Sequence, residues 1–213
     1  MRRNERAARL SSPRSARVAI ATARDPAARG RRPAISDLAL DPRIGTYDHL
    51  EGVLGAPHSL VEYGDFECPY CRAAVPVVAE VRRRMGDRLV FAFRHFPLAQ
   101  LHPFALAAAL AAEAAGVHGQ FWPMHDRLFA GDEPRLRQLD LRRYAEEIGV
   151  PPHKVVWPAT QFVEDRVEAD FNSGVRSGVR GTPTFFVDGE LYRGDTTVDG
   201  LLDALEPVGN RVR

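Results

Sequence analysis

The two cysteines of this sequence are the residues whose type and spacing could do chemistry. Cys68 and Cys71 form one C-x-x-C motif, where a β-leaning run passes into a helical one. A thiol at the start of a helix faces unpaired backbone N–H groups and the positive end of the helix dipole, and both stabilise a thiolate. We therefore predict that Cys68 is the attacking sulfur. Cys71, one turn into the helix, can then close or open a disulfide with it.

Two other interpretations of this pair stay open, namely inert buried cysteines or half of a zinc site. A zinc site needs two further ligands, and the seven histidines include no His-x3-His pair. The strand-to-helix position favours redox chemistry. The sequence thus predicts neither a metal ion nor an organic cofactor.

The elements that must position the motif predict an α/β fold. Strands are predicted over 59–64, 89–93, 184–187 and 190–192, and helices over 69–86, 104–115, 121–129, 140–148, 160–172 and 197–205. The first strand, helix and strand make a βαβ unit, and Asp188-Gly189 is typical of a β-hairpin turn. The predicted order is therefore βαβ, an all-helical block, then ββα.

Several motifs carry a resemblance to a known family. They are the Cys68-Pro69-Tyr70-Cys71 motif, Glu62 six residues before it, Pro76 five residues after it, and the segment 181–187, which contains Thr182-Pro183. With these motifs the sequence resembles the thioredoxin superfamily and, within it, the DsbA-like thiol–disulfide oxidoreductases. The long helical block resembles the DsbA insertion. Motifs such as Phe66-Glu67-Cys68-Pro69-Tyr70-Cys71 resemble a bacterial branch that occurs both alone and fused to sodium/proton antiporters.

The resemblance implies a thioredoxin-like fold (βαβ…ββα) with an inserted all-helical subdomain at about residues 100–176, within a domain spanning 46–208. It implies that Cys68, Cys71 and Glu62 are the catalytic residues. The residues implied to bind substrate are Pro69, Tyr70, Thr182 and Pro183, with a cis Thr182–Pro183 bond.

Glu62 and Tyr70 qualify what the resemblance implies. Glu62 lies in an apolar strand, where an unpaired carboxylate is costly to bury. It is either a buried carboxyl with a raised pKa that relays a proton to or from Cys71, or a residue that faces solvent. Tyr70 stands where DsbA has a histidine that favours a strongly oxidising couple. The direction of exchange is therefore not carried over.

The predicted function is exchange of disulfides with protein thiols, with a second redox protein to recharge the cysteine pair. Two alternatives remain. One is a glutathione-linked disulfide reductase or isomerase on the same fold, and the other is a non-enzymatic module that senses redox state or binds zinc. We also predict a monomer with no nucleic-acid partner.

Charge is distributed unevenly along the chain. Residues 1–33 hold ten arginines and two acids, a balance of +8 against a total of +1. We predict a disordered basic tail over 1–45 and a short C-terminal tail over 209–213.

The longest apolar run, Phe104–Ala112, is far shorter than the roughly 20 residues of a membrane span, so no span is predicted. Val18–Ala23 is too short for a signal peptide. This predicts a cytoplasmic protein, with a periplasmic or other extracytoplasmic location as the alternative.

Overall fold

Backbone pairing joins six strands into one mixed sheet of order β1-β6-β5-β3-β4-β2 in the computed structural model, which describes residues 35–131, 133 and 135–206. The strands are β1 Ile35–Ala39, β2 His49–Glu51, β3 His58–Gly64, β4 Leu89–His95, β5 Thr184–Val187 and β6 Glu190–Tyr192. β3 and β4 are parallel, and the other neighbouring pairs are antiparallel. This arrangement confirms the predicted α/β, thioredoxin-like fold.

The centre of the sheet is apolar because strands β3 and β4 are covered on both faces. Every residue of β4 is buried, as are the last five of β3. Leu60 lies opposite Phe91, and Glu62 lies opposite Phe93. One charged residue of β3 is thereby placed inside the core.

Six helices complete the fold. They are α1 Pro69–Met85, α2 Ala105–Gly116, α3 Phe121–Phe129, α4 Gln138–Glu147, α5 Glu164–Arg176 and α6 Val198–Leu205. α1 connects β3 to β4, and α2 to α5 lie between β4 and β5 in the chain, which confirms the predicted helical insertion. Most of α2 is alanine, whose small side chain allows close approach of neighbouring elements, and nine of its residues are buried. In the described part of the chain, no helix is long and apolar enough to span a membrane.

Two strands were not predicted from the sequence. β1 pairs with β6, with Ile35 opposite Tyr192, so order begins before residue 45 and the predicted tail boundary is wrong. Short edge strands carry little signal of their own, because the strand they pair with supplies their hydrogen bonds. Likewise β2 has three residues and pairs with β4. Residues 1–34 of the predicted N-terminal tail, and the predicted C-terminal tail 209–213, lie outside the described residues.

One helix starts later than predicted. α5 begins at Glu164 and not at 160, because residues Gln161–Val163 form a 3₁₀ turn before it. Such turns are frequent at helix ends, where side-chain periodicity does not distinguish them from α-helix.

Candidate active site

Cys68 lies at the N-terminal cap of α1. The chain turns sharply after β3, and the Cys68 N–H donates to the Asp65 carbonyl at 3.1 Å. Pro69 then takes the first helical position, where a missing N–H costs nothing. The Cys68 side chain is 3% exposed, and its thiol donates to the Thr182 carbonyl oxygen at 3.3 Å. The motif and the loop at residue 182 therefore meet at one sulfur.

The environment of Cys68 favours its thiolate. A hydrogen bond from the Cys71 thiol is the largest cause, and it lowers the pKa of Cys68 to about 5 although burial acts in the opposite direction. The Thr182 side chain and the backbone N–H groups of Tyr70 and Cys71 lower this pKa further. Cys68 is therefore ionised at neutral pH, as expected for a thiol at a helix N-terminus.

Cys71 has the opposite character. It is fully buried in the first turn of α1, and the Asp65 N–H contacts its Sγ at 3.4 Å. Burial raises the pKa of Cys71 well above its usual range, and the hydrogen bond with Cys68 adds to this. Both sulfurs are free thiols in this structure. One thiolate is thus ready to attack, while the second thiol must lose a proton before it can react.

Glu62 lies inside the sheet, and the solvent-facing alternative is wrong. Its side chain is in the buried centre of β3, and the residue is 4% exposed. Burial, and then the charge of Cys68, raise the pKa of Glu62 to about 8. Its carboxyl accepts no hydrogen bond from any described residue, and it lines a cavity of about 340 Å³ shared with His125 and the exposed Asp126.

The predicted substrate-binding residues lie next to Cys68 in the chain or at the loop that its Sγ contacts. The Thr182–Pro183 peptide bond is cis, the isomer implied by the resemblance. Pro69 is exposed at the start of α1, and Tyr70 is 73% exposed. A cavity of about 420 Å³ joins Tyr70 to the Thr182–Pro183 loop. The structure therefore brings all of these residues to one surface, with Cys71 and Glu62 buried beneath it.

Sequence reasoning did not identify Asp65 and His102. The buried Asp65 carboxylate accepts from the N–H of Glu67 at 2.8 Å and from that of Leu98 at 2.9 Å. It also pairs with His102 Nδ1 at 2.8 Å, and this bond raises the pKa of His102 although burial lowers it. Asp65 thereby fixes the turn that carries Cys68. The available signal was a lone acidic residue directly after a buried strand.

A second buried polar cluster lies around the end of β4. His49 and His95 each contact the Glu113 carboxylate at 2.9 Å, and the His95 N–H donates to Asp170 at 3.0 Å. Within the described chain, His95, Glu113 and Asp170 form the one group of three residues whose potential metal-ligating atoms lie within 4.8 Å of one another. Arg166 already pairs with Asp170, so a cationic side chain neutralises this cluster.

The fold and the position of the cysteine pair can now be compared with known proteins. The family model Thioredoxin_4, described as thioredoxin, matches residues 46–207. The chain belongs to this thioredoxin family. The resemblance of its motifs to the thioredoxin superfamily is thereby confirmed.

Solved structures of DsbA-like proteins have the same fold. BdbD from Bacillus subtilis in its oxidised form superposes with a TM-score of 0.66 at 20% identity, covering 83% of this chain and 95% of that one. The thiol–disulfide exchange protein alpha-DsbA2 from Wolbachia pipientis gives 0.64 at 18% identity, with 75% and 86% covered. A periplasmic thioredoxin-like protein from Salmonella enterica serovar Typhimurium gives 0.62 at 18% identity, with 75% and 88% covered. These structures do not support the predicted cytoplasmic location.

Curated relatives of higher identity are much longer proteins. Na(+)/H(+) antiporter NhaA 1 of Salinispora arenicola is 40% identical over 173 residues, which cover 78% of this chain and 26% of that protein. Na(+)/H(+) antiporter NhaA 3 of Salinispora tropica is 38% identical over 200 residues, with 93% and 29% covered. This chain therefore spans about a quarter of the length of the curated relatives that it matches.

Proposed function

We propose that this protein exchanges disulfides with protein thiols through Cys68 and Cys71. The observation that carries the proposal is the contrast between the two sulfurs. Cys68 is a stabilised thiolate at the start of α1 beside an accessible loop, whereas Cys71 is a fully buried, protonated thiol. A nucleophile and a resolving thiol with these properties are the two parts that dithiol exchange needs.

In the reducing direction the Cys68 thiolate attacks a substrate disulfide. An S–S bond forms between Cys68 and one substrate sulfur, and the other substrate sulfur leaves as a thiolate. Cys71 then loses its proton and attacks the Cys68 sulfur, which releases the second substrate thiolate. The substrate gains two electrons, and the Cys68–Cys71 pair becomes a disulfide. A dithiol of a second redox protein must then reduce the pair, and the oxidising direction is the reverse.

Glu62 moves the proton of Cys71. The charges of the Glu62 carboxylate and the Cys71 thiolate each disfavour the other, so the two groups do not ionise together. Burial and then the charge of Cys68 raise the pKa of Glu62, and the mixed disulfide removes that charge. Glu62 can then lose its own proton to the cavity and, as a carboxylate, accept the proton of Cys71 when Cys71 attacks. The cavity from Glu62 to the exposed Asp126 is large enough and polar enough to hold the water that carries this proton away.

The cis Thr182–Pro183 loop and Tyr70 hold the substrate. The Thr182 carbonyl already reaches Cys68 Sγ at 3.3 Å, so an extended substrate segment beside this loop has its cysteine next to the nucleophile. Pro69 and Tyr70 supply the opposite wall. Unpaired backbone groups of the loop can pair with such a segment, as an added strand does at a sheet edge.

Two cysteine variants test the proposal. Cys68→Ser abolishes reduction of an insulin disulfide by the protein with a dithiol donor, because no nucleophile remains. Cys71→Ser accumulates a mixed disulfide between Cys68 and the substrate, which mass spectrometry detects after acid quenching. Exchange that persists in Cys68→Ser would contradict the proposal. So would stoichiometric zinc in the purified protein with no exchange activity, a result that favours the zinc-binding module.

A glutathione titration followed by thiol alkylation determines the direction of disulfide exchange. A potential of the Cys68–Cys71 couple near the roughly −270 mV of thioredoxin assigns the protein to reduction, and one near the roughly −120 mV of DsbA assigns it to oxidation. Turnover coupled to glutathione but not to thioredoxin favours the glutathione-linked alternative. Location and oligomeric state stay predictions.

A further inference from the structure

A third cavity adjoins Pro183. Its volume is about 610 Å³, and it lies between the loop that precedes β5 and the end of β6. Pro183 and Thr196 line both this cavity and the one that contains Tyr70. The larger cavity and the tyrosine cavity are therefore neighbours that meet at Pro183 and Thr196.

Two arginines give the larger cavity its charge. Arg180 and Arg193 both line it and are exposed, and neither forms an ion pair with a described residue. Several other arginines of the fold are paired, for example Arg82 with Glu51 and Arg94 with Asp48. Among the described residues that line the cavity there is no carboxylate side chain.

Two acidic side chains lie near this cavity, since burial and then the charges of Asp195 and Asp203 raise the pKa of the lining Tyr192 to about 12. Asp195 lies between two lining residues but is not itself in the cavity wall. Its backbone carbonyl accepts from the Tyr192 hydroxyl at 2.9 Å, which occupies that hydroxyl. Among the described residues, Arg180 and Arg193 are the charged ones that line the cavity itself.

We propose that this cavity binds a carboxylate side chain of the protein substrate, close to the cysteine that reacts with Cys68. The inference rests on the proposed function and adds the substrate class to it. Side chains of an extended segment alternate in direction, so a segment lying across Pro183 can direct neighbouring side chains into the two adjoining cavities. The tyrosine cavity receives an apolar side chain, and the arginine cavity receives an Asp or Glu, whose carboxylate matches the planar guanidinium fork.

Matched peptide substrates test this. Three peptides share one internal disulfide and differ at the residue beside the reactive cysteine, which is Glu, Gln or Lys. We expect kcat/KM for the Glu peptide to exceed that for the Gln peptide by about tenfold, the equivalent of one charge-assisted hydrogen bond. The Lys peptide should be the slowest, and added salt should reduce the differences.

Charge reversal distinguishes a specific site from general attraction. Arg193→Glu and Arg180→Glu should each abolish the preference for the Glu peptide, and the double variant should reverse the order, so that the Lys peptide becomes the fastest. Arg142→Glu is the matched control, because Arg142 is an exposed arginine on α4 outside the cavity. It should leave the preference for Glu unchanged. Both cavity residues are exposed, so these variants remove no core packing.

The outcomes separate this inference from the proposed function. Equal rates for the Glu and Gln peptides in the unmodified protein, with exchange intact, overturn the carboxylate site but leave the exchange function standing. If Arg142→Glu also removes the preference for the Glu peptide, the inference of a carboxylate site is likewise wrong. Reduction of glutathione disulfide is measured in parallel. If Arg193→Glu slows that reaction while the peptides show no charge preference, the site binds glutathione and the protein-substrate inference is wrong. Absence of any exchange refutes the function itself.

Discussion

Glu62 and Glu113 occupy equally buried positions, 4% and 5% exposed, yet the protein treats their carboxyl groups in opposite ways. Burial alone raises the pKa of both. At Glu113 the hydrogen bonds with His49 and His95 outweigh burial, and they hold its pKa well below the usual range. At Glu62 no described residue donates a hydrogen bond, and the pKa rises to about 8.

The difference shows how one fold can contain both a carboxylate with a structural role and a carboxyl group available for reaction. A buried charge with partners fixes the elements around it, since Glu113 joins α2 to β2 and β4 through the two imidazoles. A buried carboxyl without partners keeps its proton at neutral pH, and it can exchange that proton during a reaction. The proposed exchange chemistry uses only the second kind.

The largest expected effect comes from removing the carboxylate that has partners, that of Glu113. Glu113→Gln should lower the free energy of unfolding by about 3 kcal/mol, because it removes one member of a buried charged cluster. Glu62→Gln should instead raise it at pH 7, since Glu62 must take up a proton to be buried uncharged and an amide need not. Urea unfolding followed by circular dichroism measures both. An equal loss of stability in the two variants would show that Glu62 also has structural partners.

The next effect concerns pH. Glu62 has a pKa of about 8 in the folded protein against an ordinary value of 4.5, so the unfolded chain loses this proton first as pH rises. Its contribution to stability therefore falls between these values, by about 1.4 kcal/mol per pH unit. Cys68 acts in the opposite direction, because its pKa of about 5 lies below the ordinary value of 9.0 for a cysteine thiol. The two contributions partly cancel in the unmodified protein.

Comparing a Glu62 variant with the unmodified protein isolates the contribution of Glu62, because Cys68 is present in both. The stability of Glu62→Gln relative to the unmodified protein should increase by about 3 kcal/mol between about pH 5.5 and pH 7.5. For Glu113→Gln the sign is reversed. The carboxylate of Glu113 stabilises the fold above the unfolded pKa, so the deficit of this variant should shrink as pH falls below about 4.5. A pH-independent difference for Glu62→Gln would mean that Glu62 is ionised in the folded protein.

The smallest expected effect is kinetic and concerns one step. Glu62→Gln should slow the attack of Cys71 on the mixed disulfide by roughly a hundredfold, the size of a lost general base. The first attack by Cys68 should keep its rate. Rapid acid quenching with mass spectrometry follows the two species separately, and Glu113→Gln at a temperature where it is folded is the control. Equal slowing of both steps would rule out a proton relay confined to Cys71.

Local chemistry explains which parts of the site could be predicted from sequence. The spacing of Cys68 and Cys71 places both sulfurs on the first turn of a helix, and the Thr-Pro pair marks its loop by composition. The order of the main strands and helices follows from hydrophobic patterning in the same way. β1 could not be predicted, because its strand character comes from pairing with β6. Asp65 and His102 are 37 positions apart in the chain, and no local pattern relates them.

The sequence by itself determined the reactive pair, the α/β class and the helical insertion, because each depends on neighbouring residues or on regular patterns along the chain. Only the tertiary structure decided which charged groups have partners. Glu62 and Glu113 are both single acids in apolar segments, and nothing near them in sequence distinguishes them. His49 and His95 reach Glu113 through folding of distant segments, and no described donor reaches Glu62. Burial and pairing depend on the whole fold, and they set the pKa values on which the proposed chemistry depends.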